Sequence, residues 1–233
     1  MSKSAVTVIL VHGAWADGSS WNKVIKVLQA AGLAVIAVQL PLTSVEDDAA
    51  ATSRIIADTP GPIVLAGHSW GGIAVTQAGN DPKVVALVYV SGFAPDLGES
   101  GSALINAHPT PPALSTIVTD GAGFVYQTAE GMVTNVAPDI AEADARALAA
   151  TQGRLAGKAF GQTVTMVAWK TKPTWFIVTS DDRVVSPELQ SVEAKRMNAK
   201  TTVLRASHMA LLSHPNEVAA VIEDAARQAA AAP

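Results

Sequence analysis

Residues 67–71 read Gly67-His68-Ser69-Trp70-Gly71, a serine with a glycine two positions away on either side. A serine hydroxyl is a weak nucleophile near neutral pH until a neighbouring base takes its proton. Glycines at that spacing permit a turn tight enough to strain the serine backbone and thrust its hydroxyl outward. The base suited both to accept the proton and to return it is an imidazole. Of the five histidines, His12 and His68 belong to glycine turns, His108 lies in a proline-rich stretch, and His214 opens a helix as Ser213-His214-Pro215. His208, in Ser207-His208-Met209, follows the last apolar run and is the candidate general base. A carboxylate must hold the far nitrogen of that imidazole, and Thr179-Ser180-Asp181-Asp182 offers two candidates, either of which the sequence permits. A serine that merely capped the next helix would account for the glycine turn but not for an acid and a histidine placed after two late strands.

Attack by Ser69 on a carboxyl carbon would leave a negative oxygen in need of preorganised donors, each worth about 3 kcal/mol of barrier. The residue after the nucleophile, Trp70, supplies one backbone N–H. The loop after the first apolar run, His12-Gly13-Ala14-Trp15, supplies the other through Ala14, with Gly13 allowing the close turn. A His-Gly pair can also be a plain strand-ending turn. No H-E-x-x-H, G-x-G-x-x-G or G-x-x-x-x-G-K-[ST] occurs, so neither a metal nor a cofactor is expected, and this chemistry needs none. The absence of cysteine excludes disulfides, thiolate metal sites and a cysteine nucleophile.

Six short apolar runs can position these groups: Val6–Val11, Ala34–Gln39, Pro62–Ala66, Val84–Val90, Thr174–Thr179 and Thr202–Arg205. Each is continuous rather than alternating, which predicts parallel strands covered on both faces. Between them, Trp21-Val24-Val27-Leu28, Ile73-Val75-Thr76-Ala78 and Val218-Val221-Ile222-Ala225 have helical spacing. The pattern is a doubly wound α/β domain in which Ser69, the Asp181-Asp182 pair and His208 all follow the carboxyl ends of strands, where open sheets bind ligands. Residues 92–172 break the rhythm with five prolines and one clear helix around Asp139–Thr151. Eighty residues of bare loop would be improbable in a compact domain, so the segment is read as an insertion into a core of residues 1–91 and 173–233. The Ala-rich end, Ala225–Pro233, reads as a helix fraying into a tail.

With 49% apolar and 15% charged residues in 233, the chain can bury a substantial core. A net charge of −4, with 16 Lys and Arg and no basic run, argues against a nucleic-acid partner. The run Ala5–Val11 after Met1-Ser-Lys-Ser is too short for a membrane span and lacks a signal-peptide cleavage site, so a cytoplasmic protein with no membrane partner is expected. Oligomeric state is not legible.

The motifs Val11-His12-Gly13-Ala14-Trp15, Gly67-His68-Ser69-Trp70-Gly71-Gly72, Thr179-Ser180-Asp181-Asp182 and Ser207-His208-Met209-Ala210 together resemble the α/β-hydrolase superfamily. The likeness is to the small branch of plant methyl esterases, hydroxynitrile lyases and related bacterial esterases. It implies a six-stranded parallel sheet with flanking helices, the chain order serine, acid, histidine, and a cap inserted after the strand that follows the elbow helix. The family's strand-end pattern has the acid fourth, which selects Asp182 over Asp181. Lyases of the branch tend to replace the glycine at position 13 and to carry a lysine beside the histidine; Gly13 and Met209 here look like an esterase. A cation would ease the departure of cyanide, and a thioether cannot.

The expected reaction is therefore hydrolysis of a small, mostly apolar carboxylic ester through an acyl-enzyme, with lactones and thioesters within reach. Trp70, Phe93, Phe124 and Phe160 are candidate pocket walls, and Gly13, His68, Phe93, Phe124 and Met209 candidate substrate contacts. The alternatives are a hydrolase-like small-molecule receptor and a hydroxynitrile or C–C lyase. The stretch Trp15–Trp21 departs from the plant members, so their substrates do not transfer.

Overall fold

The β-branched run Thr7–Val11 forms β1, flanked in a six-stranded sheet of order β2-β1-β3-β4-β8-β9 in which every paired neighbour is parallel. The computed structural model describes residues 6–231. The first half alternates strand and helix: α1 (Asn22–Ala30), β2 (Ala34–Val38), α2 (Val45–Asp58), β3 (Ile63–His68), α3 (Gly71–Ala78) and β4 (Val84–Val90). Ser44 caps α2 by accepting the Asp47 N–H, and Glu46, Asp47 and Asp48 in its first turn oppose the positive end of the helix dipole.

Residues 92–172 then carry α4 (Gly101–Asn106), β5 (Ile117–Thr119), β6 (Phe124–Gln127), the short turn α5 (Ala129–Gly131), a π-helical turn at Met132–Val136, α6 (Glu142–Thr151) and β7 (Leu155–Ala156). Here β5, β6 and β7 make a separate three-stranded antiparallel sheet. The main sheet resumes with β8 (Thr174–Thr179), α7 (Pro187–Arg196), β9 (Lys200–Leu204), α8 (Ala210–Ser213) and α9 (Pro215–Ala231). All six expected strands are present, displaced at their ends by at most two residues. The Ala-rich C-terminal stretch is helical to Ala231; positions 232–233, like the N-terminal residues 1–5, lie outside the described residues.

One expectation is corrected. The central strands β1, β3 and β8 are buried along their whole length, but β2 and β9 are partly exposed, with Val203 at 65%. These two are the sheet's rims, where each strand has one neighbour and less helical cover, so a continuous apolar run does not guarantee burial on both faces. Among the described residues no helix is long and apolar enough to cross a membrane.

A buried carboxyl ties α7 to the segment that follows β4. Glu193 is 1% exposed, its Oε1 accepts the Ala94 N–H at 2.8 Å, and its Oε2 has no partner. Burial pushes this carboxyl up to about 8, against the Ala94 bond and the Arg196 guanidinium. Arg196 cannot offset the burial because it is 3.9 Å away and bonded instead to Glu99 and the Ala94 carbonyl. The folded chain therefore keeps a proton that the unfolded chain releases near pH 4.5. Its stabilising contribution is complete below that pH and is lost as pH rises toward 8. Thermal melts of wild type and Glu193→Gln are expected to show the wild type losing ground to the variant between about pH 4.5 and 8 and holding level above that.

Candidate active site

Ser69 sits between β3 and α3 with φ at +53°, in the left-handed region that a β-substituted residue avoids unless its surroundings enforce it. The enforcement is visible. A Cβ on Gly67 would lie 2.7 Å from the Gly71 carbonyl oxygen, and one on Gly71 would lie 2.5 Å from Val11 O and 2.6 Å from His12 O. The turn is further held by Ser69 N–H donating to Val90 O at 3.1 Å and by Phe93 N–H donating to Ser69 O at 3.3 Å. Gly13 abuts the same serine, since a Cβ there would stand 2.7 Å from Ser69 Cβ.

Asp182 and His208 are brought together from the ends of β8 and β9. His208 Nδ1 and Asp182 Oδ2 are 2.9 Å apart, with both side chains almost wholly buried. Asp182 is itself fixed: Oδ1 accepts the Val184 and Val185 N–H groups at 2.8 and 3.0 Å, and Oδ2 accepts from Thr179 Oγ1 and Gln190 Nε2 at 3.0 and 2.9 Å. Asp181 instead is exposed and faces Arg205 at 3.6 Å. With Nδ1 engaged by the carboxylate, Nε2 is the ring nitrogen left for proton transfer.

No hydrogen bond of 3.5 Å or less joins Ser69 Oγ to the His208 ring among the described residues. The two are linked through His68, Ser69's chain neighbour, whose Nε2 donates to the His208 carbonyl oxygen at 2.9 Å and whose ring centroid lies 4.7 Å from that of His208. Burial, reinforced by His208, holds the His68 ring well below the usual histidine range, so His68 is neutral and structural.

The N–H groups of Ala14 and Trp70 make no hydrogen bond to a described residue and so remain available to a ligand oxygen. The Trp70 indole N–H donates to Asp48 Oδ2 at 2.6 Å, while Asp48 Oδ1 accepts the Leu42 N–H at 2.7 Å. Burial raises the Asp48 carboxyl to about 6 in spite of those two bonds.

A cavity of about 20 Å³ lies at Ser69, walled by Ala14, Trp15, Trp70, Phe93, Ile105, Leu114, Phe160 and Val184. That is room for roughly one water molecule. Of the expected substrate contacts, Phe93 lines it, as do the wall candidates Trp70 and Phe160. Gly13 and His68 touch the catalytic loops but form no part of its wall. Phe124 and Met209 are not among the residues that wall it. On β6 the inward positions are Val125 and Gln127, and alternation turns Phe124 to the other face of the small sheet. Met209 is buried at the N-cap of α8.

The structure adds residues that sequence reading missed. Trp15 donates its N–H to Gly153 O at 3.0 Å and its indole N–H to Val125 O at 3.1 Å. Arg183 Nη1 donates to Thr134 O at 3.1 Å, and Ala113 N–H to Arg183 O at 3.0 Å. Ser207 bonds Asp139. Each loop around the site is thus tied to residues 92–172. Asp48 had no distinguishing signal, since it reads as one of three acids suited to a helix N-terminus. Among the described residues no group of three or more His, Asp or Glu side chains is arranged to hold a metal ion.

A model of the alpha/beta hydrolase family matches residues 8–221. A probable hydrolase of Phoma sp. is 26% identical over 94% of this chain and 97% of its own length. A carbendazim-hydrolyzing esterase of Nocardioides sp. is 31% identical over 46% of this chain and 50% of its own. Among solved structures, a pyrethroid hydrolase from Sphingobium faniae superposes with a TM-score of 0.78 at 23% identity, over 96% of this chain and 98% of that one. Polyneuridine aldehyde esterase gives a TM-score of 0.82 at 20% identity, over 95% and 99%.

Proposed function

The chain belongs to the alpha/beta hydrolase family, and on that premise we propose that it hydrolyses a small, mostly apolar carboxylic ester through an acyl-enzyme on Ser69. The observation that carries the reading is the buried His208–Asp182 pair, 2.9 Å apart, next to a serine held in a left-handed turn. The named hydrolases and esterases among its relatives and structural neighbours support the same class of reaction.

In the first step Ser69 Oγ attacks the ester carbon as His208 Nε2 takes the hydroxyl proton. Asp182 keeps Nδ1–H oriented and stabilises the imidazolium that results. The carbonyl oxygen becomes an oxyanion between the Ala14 and Trp70 N–H groups. Collapse expels the alcohol, which leaves with the proton from His208. A water molecule then repeats the sequence on the acyl-enzyme, releasing the carboxylic acid and restoring Ser69. Bonds between nucleophile and base commonly tighten when substrate arrives, which fits a Ser69 hydroxyl not yet bonded to His208.

In this reading residues 92–172 act as a cap over a core of residues 1–91 and 173–233, supplying Phe93, Ile105, Leu114 and Phe160 to the cavity. The apolar lining offers no partner for a charged acyl group, and because the cavity has room for only about one water molecule, any acyl group must displace its packed walls, by more with each methylene. A series of p-nitrophenyl esters from acetyl to octanoyl tests this. The expected outcome is kcat/KM highest for the shortest chains and falling by about tenfold or more for each few methylenes added. Ligand-induced stabilisation without product from any ester would mark a binding protein instead, and release of cyanide from a cyanohydrin a lyase.

A further inference from the structure

Whatever holds His208 must act on the loop between β9 and α8, which the chain leaving β8 grips only as far as Ala206, whose carbonyl oxygen accepts the Asp181 N–H at 3.1 Å. Strand β9 is a partly exposed rim that ends at Leu204, and α8 does not begin until Ala210, so residues 205–209 have no regular structure. Two contacts already described fix His208 itself: Asp182 at Nδ1 and His68 at the carbonyl oxygen. Neither fixes the chain entering the histidine. That chain is Ser207, and both of its donors end on one carboxylate. Asp139 Oδ2 accepts the Ser207 N–H at 2.8 Å, and Asp139 Oδ1 accepts the Ser207 hydroxyl at 2.5 Å. Val136 O stands 3.4 Å from the same hydroxyl, a poorer acceptor geometry for its single proton.

We propose that Asp139, supplied by the inserted segment, is a positioning residue for His208, clamping Ser207 through two hydrogen bonds and so fixing the imidazole against Ser69 and Asp182. The proposal rests on the esterase reading above. The two donors of Ser207 need two acceptors, which a carboxylate offers and a carboxamide does not. Asparagine would satisfy one donor and turn an NH2 toward the other. Bonds to an ionised acceptor are the stronger kind, and the Asp139 carboxyl is held ionised: burial raises it, but the Ser207 hydroxyl and N–H, with smaller help from the Ser213 hydroxyl and its own N–H, outweigh that and leave it below the usual range. Asp139 does not line the cavity, so its removal should leave substrate binding alone.

The test compares wild type with Asp139→Ala, Asp139→Asn, Ser207→Ala and the Asp139→Ala/Ser207→Ala double variant. Kinetics on p-nitrophenyl acetate are paired with the downfield proton NMR signal of His208 Nδ1–H, a readout that needs no substrate. Misplacing a catalytic group by about an ångström costs up to about a hundredfold. Asp139→Ala is therefore expected to lower kcat ten- to a hundredfold with KM within twofold, and to broaden or shift the His208 signal. Asp139→Asn and Ser207→Ala should fall between it and wild type, and the double variant should be little worse than Asp139→Ala, because in that variant the Ser207 hydroxyl keeps only the poorly placed Val136 O. If Asp139→Ala fails to fold, Ser207→Ala, which removes one of the two bonds, carries the test alone.

An unchanged signal and unchanged kcat in folded Asp139→Ala, or in Ser207→Ala where that carries the test, would overturn the proposal, as would a loss confined to KM or melting temperature. An inactive wild type whose His208 signal still responds to Asp139→Ala would sink the esterase reading and leave the clamp standing.

Discussion

Replacing His208 with alanine is expected to lower kcat for ester hydrolysis by about a thousandfold or more, with KM nearly unchanged. In the proposed mechanism the imidazole takes the reacting proton, and it does not wall the cavity, so its loss should fall on the transition state. Asp182→Asn should cost a comparable factor for a different reason. A carboxamide can present its NH2 to Nδ1 and force the proton onto Nε2, the nitrogen that has to accept from Ser69. Asparagine keeps one oxygen for the Val184 and Val185 N–H groups that Asp182 Oδ1 now serves, but its NH2 would face the Gln190 Nε2 donor that Oδ2 now accepts, so a melting curve must accompany the kinetics to separate lost stability from lost chemistry. Combining His208→Ala with Ser69→Ala should cost little more than either alone, because the residues act as a unit. Steady-state kinetics on p-nitrophenyl acetate, with circular dichroism to confirm the fold, check all three.

The second large effect is steric. In Gly71→Ala the new Cβ would sit 2.5 Å from Val11 O and 2.6 Å from His12 O. Both are backbone atoms at the end of β1, in the middle of the sheet and next to the Ala14 loop, and they cannot swing aside as a flexible side chain would. Relief has to move α3 or the Ala14 loop, and either displaces an N–H group proposed to hold the oxyanion. The expected result is a destabilisation of about 3 kcal/mol or more together with at least a hundredfold loss of kcat. Urea denaturation and kinetics on the same sample measure both. Gly121→Ala is the control: a Cβ there meets nothing within 4 Å, and stability should change by less than about 0.5 kcal/mol.

The contrast between those glycines shows what could be read in advance. Ser69, Asp182 and His208 were legible because each follows an apolar strand, and strand ends in a parallel sheet converge on one edge. The six strands were legible because burial in a parallel sheet selects unbroken apolar runs. The side Phe124 takes was not legible because it depends on the register of a hairpin within residues 92–172, where four residues of alternating pattern leave the face undetermined until β5 and β7 pair with it. Asp48 and Asp139 were invisible for a related reason. Their partners, Trp70 and Ser207, lie 22 and 68 residues away, and a carboxylate near a helix start looks the same whether it faces water or a buried donor. The exposure of β2 and β9 was likewise a matter of where the sheet stops.

The central claim is that Ser69 carries the acyl group, and one measurement addresses it directly. Purified wild type and Ser69→Ala are mixed with p-nitrophenyl acetate, nitrophenolate release is followed, and the protein is digested for mass analysis. The expected result is turnover by the wild type with an acetyl group trapped on the peptide containing Ser69, and at least about a thousandfold less release by the variant. Equal rates for the two proteins, or an acyl group on any other residue, would contradict the account.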